Sequence, residues 1–386
     1  MEQAARLLVD ASPEPVCAYV YDLVHLRRHV CAVRAALPDV CRLFYAVKAN
    51  ADPSVLRTLA GVVDGFEVAS LGELEKVRAV NAEVPVVFGG PGKTDEELDG
   101  ALARGVALVH VESLHELRRL ERLAARRSTA ADVLLRVNLA GPLPAATLAM
   151  GGVPTQFGID ERELPVVAGV AARSCSVRLR GFHFHSLSNQ LDPTAHARLV
   201  GLFLRRARRW GDEHGVAVGV VNAGGGFGID YGDPRRSFDV AGFAPHLSRE
   251  LALHRPPGTE VVFECGRHLA ASCGAYVVEV LDLKVNHGRH FAVVRGGTHH
   301  FRLPASWGHS HPFVVVPTDR GTDGLPRPEV RNVRVTVAGQ LCSPKDVLAR
   351  DAPVERLRVG DLVVFHHAGA YGWEISHHEF LSHPPP

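Results

Sequence analysis

The chain has 386 residues, more than one hydrophobic core usually serves, so two domains, or one barrel with an appendage, are expected. Apolar residues make up 46% and the formal net charge is +1, a balance that suits a globular protein and gives no bulk electrostatic basis for binding nucleic acid or an anionic membrane. No apolar run approaches membrane-spanning length, and the opening MEQAARLLVDASPEPV lacks the basic and apolar regions of a signal peptide, so a cytoplasmic enzyme is expected. Cys17, Cys31, Cys41, Cys175, Cys265, Cys273 and Cys342 are scattered and odd in number, with no C-x-x-C pair, which argues against a disulfide framework and a structural zinc site.

PVCAYVYD, residues 15–22, reads as a strand that could belong to either domain. From residue 41 apolar strand-like runs alternate with helical segments. The runs are CRLFYAVK, GFEVAS, VPVVFGG, ALVHVES, DVLLRVNL, VRLRGFHFH, VAVGVVNAGGG and EVVFECG. Between them, DPSVLRTLAGVV, SLGELEKVRAV, TDEELDGALARG and SLHELRRLERLAARR open with N-cap residues, and TDEE and SLGE have capping-box spacing. Continuous apolar strands are those of parallel sheets covered on both faces. Eight such units predict a (β/α)8 barrel over residues 24–274, with a doubly wound open sheet as the alternative. After residue 275, AYVVEVLDLKVN, HFAVVRGG, FVVVPT, VRNVRVTVAG and DLVVFHHAG are strands separated by turns, which predicts an all-β domain.

In a barrel the chemistry sits where strands end. The strand ends here carry Lys48, Glu67, Arg136, His185, Gly224-Gly225-Gly226, and Glu264 with Arg267. Each alone is ordinary: a strand-end lysine is commonly solvated and a glycine triplet is commonly a turn. Together they describe a ligand. A glycine turn can close its N–H groups on a phosphate, and an arginine adds charge to that contact. A desolvated lysine can form a Schiff base with an aldehyde, and a carboxylate can keep a pyridine nitrogen protonated. Pyridoxal 5'-phosphate requires all four. His183 is expected to face away from His185 and to serve structure, and Glu67 to position rather than react. Arg136 is read either as a barrel-end ion-pair residue or as a residue near the substrate.

These segments resemble the fold type III pyridoxal-phosphate decarboxylases, the group of diaminopimelate, ornithine and arginine decarboxylases, and more distantly alanine racemase. FYAVKAN resembles the motif of the Schiff-base lysine, which falls on Lys48. FHFHSLS resembles the motif that stacks a histidine, His185, on the cofactor ring and brings a serine, Ser188, to the phosphate side. NAGGGFGIDY resembles the phosphate-binding turn, and ECGRHL the segment that sets Glu264 on the pyridine nitrogen and Arg267 on the phosphate. GQLCSPKDVL and GAYG resemble the segments of a catalytic cysteine, Cys342, and a cofactor-side tyrosine, Tyr371. The resemblance implies a TIM barrel plus a C-terminal β-sandwich or β-barrel-like domain that also takes the N-terminal strand, residues 1–23 with 275–386. It also implies a head-to-tail homodimer in which one subunit supplies Lys48, His185 and Glu264 and the other Cys342, with Tyr371 near the interface. Racemases of this fold place arginine at the Glu264 position, so decarboxylation is expected, with Cys342 as proton donor; racemase and non-catalytic homologue are the alternatives.

The substrate segments depart from the diaminopimelate and ornithine enzymes. Ser343 stands where those enzymes carry the carboxylate that reads a distal ammonium. In GGTHHFRLPASWGHSHPF, Leu303 occupies the position of an arginine and Trp307 that of a tyrosine, while Arg302 is one place off. His299, His300, Arg302, His309 and His311 could instead receive an anionic substrate, and their spacing follows no standard metal-ligand pattern, so no metal is expected. HFHSLSNQLD and GGTHHFRLPA resemble the siderophore-biosynthesis branch, whose substrate is of the citryl-diaminopropionate type. The expected substrate contacts are Arg136, His299, His300, Arg302 and Ser343; a diaminopimelate or other basic amino-acid decarboxylase is the alternative.

Overall fold

The computed structural model describes residues 1–11, 13–141, 143, 148–233, 236–320 and 324–386. The chain divides into two compact units, one of Arg27–Ile229 with Arg236–Leu269, the other of Met1–Leu26, Asp230–Arg235 and Ala270–Pro386. Strand β1 (Cys17–Tyr21) belongs to the second. The first holds β2 (Cys41–Ala46), β3 (Gly65–Val68), β4 (Val86–Phe88), β5 (Leu108–Val111), β6 (Ala131–Asn138), β7 (Val177–His183), β8 (Val220–Asn222) and β9 (Glu260–Cys265). Neighbours pair in parallel in the order β5-β4-β3-β2-β9-β8-β7-β6, and β5 pairs β6, so the eight-stranded barrel closes.

The helices start where their caps dictate. Thr94 and Glu97 form a reciprocal capping box at the head of Asp95–Ala103. Ser70 accepts from the Glu73 N–H, but the Glu73 carboxylate accepts from Ala69 N–H rather than from the cap residue. Each such cap stabilises its helix by about 1 kcal/mol. Helix Pro193–His214 ends at Gly215, whose φ of +67° is the left-handed conformation that stops a helix.

At one level of the barrel Phe44, Val87 and Val262 pack together with Leu108 and Val220. Strand side chains repeat with period two. Two residues further along β4, β5, β8 and β9 therefore come Gly89, His110, Asn222 and Glu264, on the same inward face. An apolar plug thus lies directly beneath a polar layer at the carboxyl ends of the strands.

The second unit is built on a seven-stranded mixed sheet. Its strands are β1, β10 (Gly274–Asn286), β11 (Arg289–Val294), β12 (Phe313–Val316), β13 (Glu329–Ala338), β14 (Val347–Arg358) and β15 (Leu362–His366). The order is β12-β15-β10-β11-β13-β14, with β1 antiparallel to β10, so the N-terminal strand joins this sheet. The unit also contains helices Glu2–Ala11 and Leu303–Trp307, so it is not purely β. Among the described residues no helix is long and apolar enough to cross a membrane.

Candidate active site

Glu264, near the end of β9, is buried with Asn222 and His110 beside one carboxylate oxygen and His183 beside the other. Asn222 Nδ2 donates to Oε1 at 2.7 Å, His110 Nε2 lies 3.6 Å from Oε1, and His183 Nε2 lies 3.3 Å from Oε2. Burial holds both histidines well below the ordinary imidazole range; the charges of Lys93 and Arg136 add to the effect, while Glu264 opposes it at His110. Among the described residues the only groups of basic type within 4 Å of the Glu264 carboxylate are these two imidazoles, both neutral. A buried carboxylate without a cation is costly. A protonated ring nitrogen would supply the missing charge.

The side chains of His183 and His185 lie side by side, ring centroids 6.5 Å apart at 22°. This corrects the expectation that they face apart: residues two apart on a strand share a face. His183 also stacks on His110 at 4.0 Å, which puts it among the polar layer. Gly225 N–H donates to His185 Nδ1 at 3.1 Å, fixing the ring and leaving its proton on Nε2. Burial first, then the charge of Lys48, keeps His185 neutral.

Of the five lysines, Lys76, Lys284 and Lys345 are exposed. Lys93 is buried and fully engaged: it pairs with Glu116 at 2.6 Å and donates to the carbonyls of His110 and Gly90. Lys48 differs from both kinds. It sits on the 3-10 turn Val47–Ala49 after β2, is 41% exposed, and pairs with buried Glu67 at 2.7 Å. Burial raises the Glu67 carboxyl pKa and Lys48 pulls it back down. Arg136 is already committed, to Glu112 at 2.7 Å and to the face of Phe157, 4.6 Å from the ring centroid.

The glycine turn follows β8. Gly224 and Gly226 have φ of +68° and +106°, and a Cβ on Gly225 would lie 2.2 Å from the Glu264 carbonyl oxygen. Only glycine permits this conformation and this approach. Arg267, buried, begins a short helix just past β9, and half-buried Ser188 lies on the two-residue strand Leu187–Ser188 beyond His185. Amine, flat imidazole, carboxylate without a cation beside it, glycine turn and arginine fit pyridoxal phosphate group by group. The ligand atoms of His110, His183 and Glu264 also lie within 4.8 Å of one another, a spacing open to a metal ion.

Cys342, Ser343, Tyr371, His299, His300 and Arg302 belong to the second unit. Cys342 is exposed, and half-buried Tyr371 has a φ of +55°. A cavity of about 570 Å³ is lined by Arg302, His309, Ser343, Lys345, Arg350 and His377, among others. Its one carboxylate, Asp346, is turned onto the backbone N–H groups of Thr298 at 2.6 Å and Leu341 at 2.8 Å. The cavity is therefore cationic. His299 and His300 do not line it: burial pushes them down to about 4 and about 3, and His300 bonds Cys17 Sγ through Nδ1 at 3.3 Å. His311 is also buried and donates to the His366 carbonyl at 2.7 Å. Arg302 precedes a helix rather than lying on a strand.

Sequence reasoning missed His110, Asn222, Lys345 and Arg350. The first two stand two places after inward apolar residues, a signal that was available. Lys345 sits in a turn, and Arg350 lies within β14, whose sequence has no apolar period.

Residues 23–271 match the family described as pyridoxal-dependent decarboxylase, pyridoxal binding domain. The chain is 45% identical over 376 residues to the 2-[(L-alanin-3-ylcarbamoyl)methyl]-2-hydroxybutanedioate decarboxylase of Staphylococcus aureus, covering 97% of this chain and 94% of that one. It is 32% identical to the L-glutamyl-[BtrI acyl-carrier protein] decarboxylase of Niallia circulans, over 95% of this chain and 87% of that one. The crystal structure of diaminopimelate decarboxylase from Helicobacter pylori complexed with L-lysine has the same fold, with a TM-score of 0.82 at 24% identity, covering 94% of this chain and 89% of that one. Fold and site thus define a carboxy-lyase that uses pyridoxal phosphate. The chain belongs to the pyridoxal-dependent decarboxylases.

Proposed function

We propose that this enzyme removes carbon dioxide from the amino-acid end of a carboxylate-rich substrate, a siderophore intermediate of the citryl-diaminopropionate type. The cationic cavity carries this reading. Arg302, Lys345 and Arg350 surround it, Ser343 leaves no carboxylate to receive a distal ammonium, and Asp346 is already satisfied. The name of the Staphylococcus aureus relative describes a diaminopropionate amide of citrate, which supports the same chemistry.

Lys48 is the amine that holds the cofactor, with Glu67 as its counter-ion. Bound there, the cofactor would be met by Glu264 at its ring nitrogen, by His185 against its ring, and by Ser188, Arg267 and the turn Gly224-Gly225-Gly226 at its phosphate. Pyridoxal phosphate supplies an electron-poor ring that takes up the electron pair left when carbon dioxide departs. Glu264 would favour that uptake by keeping the ring nitrogen protonated. The thiol of the partner subunit's Cys342 would hold the proton that the carbon requires, which would make the working unit a homodimer with sites at its interface. All seven cysteines are free, which supports a reducing, cytoplasmic setting.

The test is carbon dioxide release by the reconstituted enzyme from citryl-diaminopropionate and from meso-diaminopimelate. The first should be preferred by at least about 100-fold in kcat/KM, the value of two well-placed charge contacts. Efficient release from meso-diaminopimelate would overturn the substrate reading.

A further inference from the structure

We propose that Asn222 is a positioning residue that ties the glycine turn to Glu264, so that the phosphate end and the ring-nitrogen end of the cofactor site are set by one buried amide. Asn222 is fully buried at the last position of β8. Gly224 N–H donates to its Oδ1 at 2.9 Å. A backbone N–H can only donate, so this contact fixes which end of the amide is oxygen. Nδ2 therefore points the other way and has two protons to give. One goes to Glu264 Oε1 at 2.7 Å and the other to His110 Nε2 at 3.3 Å. His110 must accept there, so its own proton is on Nδ1.

Every polar atom of the amide is thus used, in a place where an unmade hydrogen bond is expensive. Stacked His110 and His183 close the cage, and because both are neutral they flank the carboxylate without cancelling its charge, which leaves Asn222 Nδ2 as its side-chain donor among the described residues. The same geometry argues against a metal ion among His110, His183 and Glu264. The lone pairs of His110 Nε2 and Glu264 Oε1 that would face the ion already receive the N–H groups of Asn222.

The inference rests on the cofactor placement proposed above, which Lys48→Ala tests separately. If that variant keeps the absorbance of lysine-bound pyridoxal phosphate, the placement fails whatever Asn222 does. Given the placement, Asn222→Ala and Asn222→Asp separate the two duties of the amide. Asn222→Ala removes both, and cofactor affinity measured by absorbance titration of the apo-protein should fall by about ten-fold or more. Asn222→Asp keeps an oxygen for Gly224 N–H, so affinity should return to within a few-fold of wild type. Its new carboxyl can donate to Glu264 only when protonated, so turnover, and the absorbance of the bound cofactor, should decline as pH rises across a range where wild type is flat. A purely structural role would not produce that profile. Should Asn222→Ala fail to fold, the pH profile of Asn222→Asp decides alone. Cofactor affinity within two-fold of wild type in folded Asn222→Ala, or a pH profile of Asn222→Asp that overlays wild type, would overturn the inference.

Discussion

Glu67→Gln isolates the charge that Lys48 feels. The carboxylate lies 2.7 Å from Nζ, and glutamine keeps the shape and one acceptor while removing the charge. At that separation the Coulomb term is about 1.5 kcal/mol in bulk water and about 6 kcal/mol at an effective dielectric of 20. Lys48 is 41% exposed, which places the pair toward the lower figure. About 1.4 kcal/mol corresponds to one pKa unit. The amine of Glu67→Gln should therefore lose its proton about one unit lower than in wild type. The assay is the rate at which apo-protein takes up pyridoxal phosphate as a function of pH, since only the neutral amine attacks an aldehyde. The midpoint should move down by about one unit, and uptake below it should be about ten-fold faster. Glu67→Asp, which keeps the charge, should stay closer to wild type. A midpoint that moves by less than about 0.3 unit, where about one is expected, would refute the reasoning that Glu67 is the counter-ion of Lys48.

Replacing Lys345 and Arg350 together by alanine should raise KM for citryl-diaminopropionate by about 10- to 100-fold with a smaller change in kcat, because the cavity binds a part of the substrate that does not react; an unchanged KM in steady-state kinetics would contradict this. Cys342→Ala should keep the absorbance of the bound cofactor while turnover falls by about 100-fold or more, the contribution typical of a proton donor; turnover within a few-fold of wild type would remove the thiol from that role. Buried His196 and His268 titrate near about 4 rather than at the ordinary value, because burial opposes their charging. The unfolded chain takes up these protons first, so stability is complete above about pH 6.5 and is lost as pH falls toward 4, by up to about 1.4 kcal/mol per unit for each histidine. Thermal melts at pH 7 and pH 5 should show a smaller drop for His196→Leu than for wild type, and an equal drop would exclude His196 as a contributor.

The barrel was legible because its strands are covered on both sides and read as unbroken apolar runs, and because Thr94, Ser70 and Ser113 announce their helices. The second unit was legible only in part. Strand Val347–Arg358 carries Asp351, Pro353, Glu355 and three arginines among its buried positions, so no apolar pattern marked it. The site residues with motif neighbours, such as Lys48 and the glycine turn, stood out. His110 and Asn222 did not, since their importance comes from meeting Glu264 across the barrel, over sequence separations of 154 and 42 residues. His299 and His300 looked like ligand-binding groups because histidine is polar, yet tertiary packing buries both as neutral rings. The face of His183 was legible from strand periodicity alone, and only the structure corrected its misreading.

The central claim is that this barrel holds pyridoxal phosphate through one particular amine. Reconstituted protein reduced with borohydride, digested and mapped by mass spectrometry tests it directly, because the chain has only five lysines to choose among. The pyridoxyl phosphate mass should appear on the peptide containing Lys48 and on no other, and should vanish in Lys48→Ala. Stable modification of Lys93, or of exposed Lys76, Lys284 or Lys345 in its place, would contradict the account.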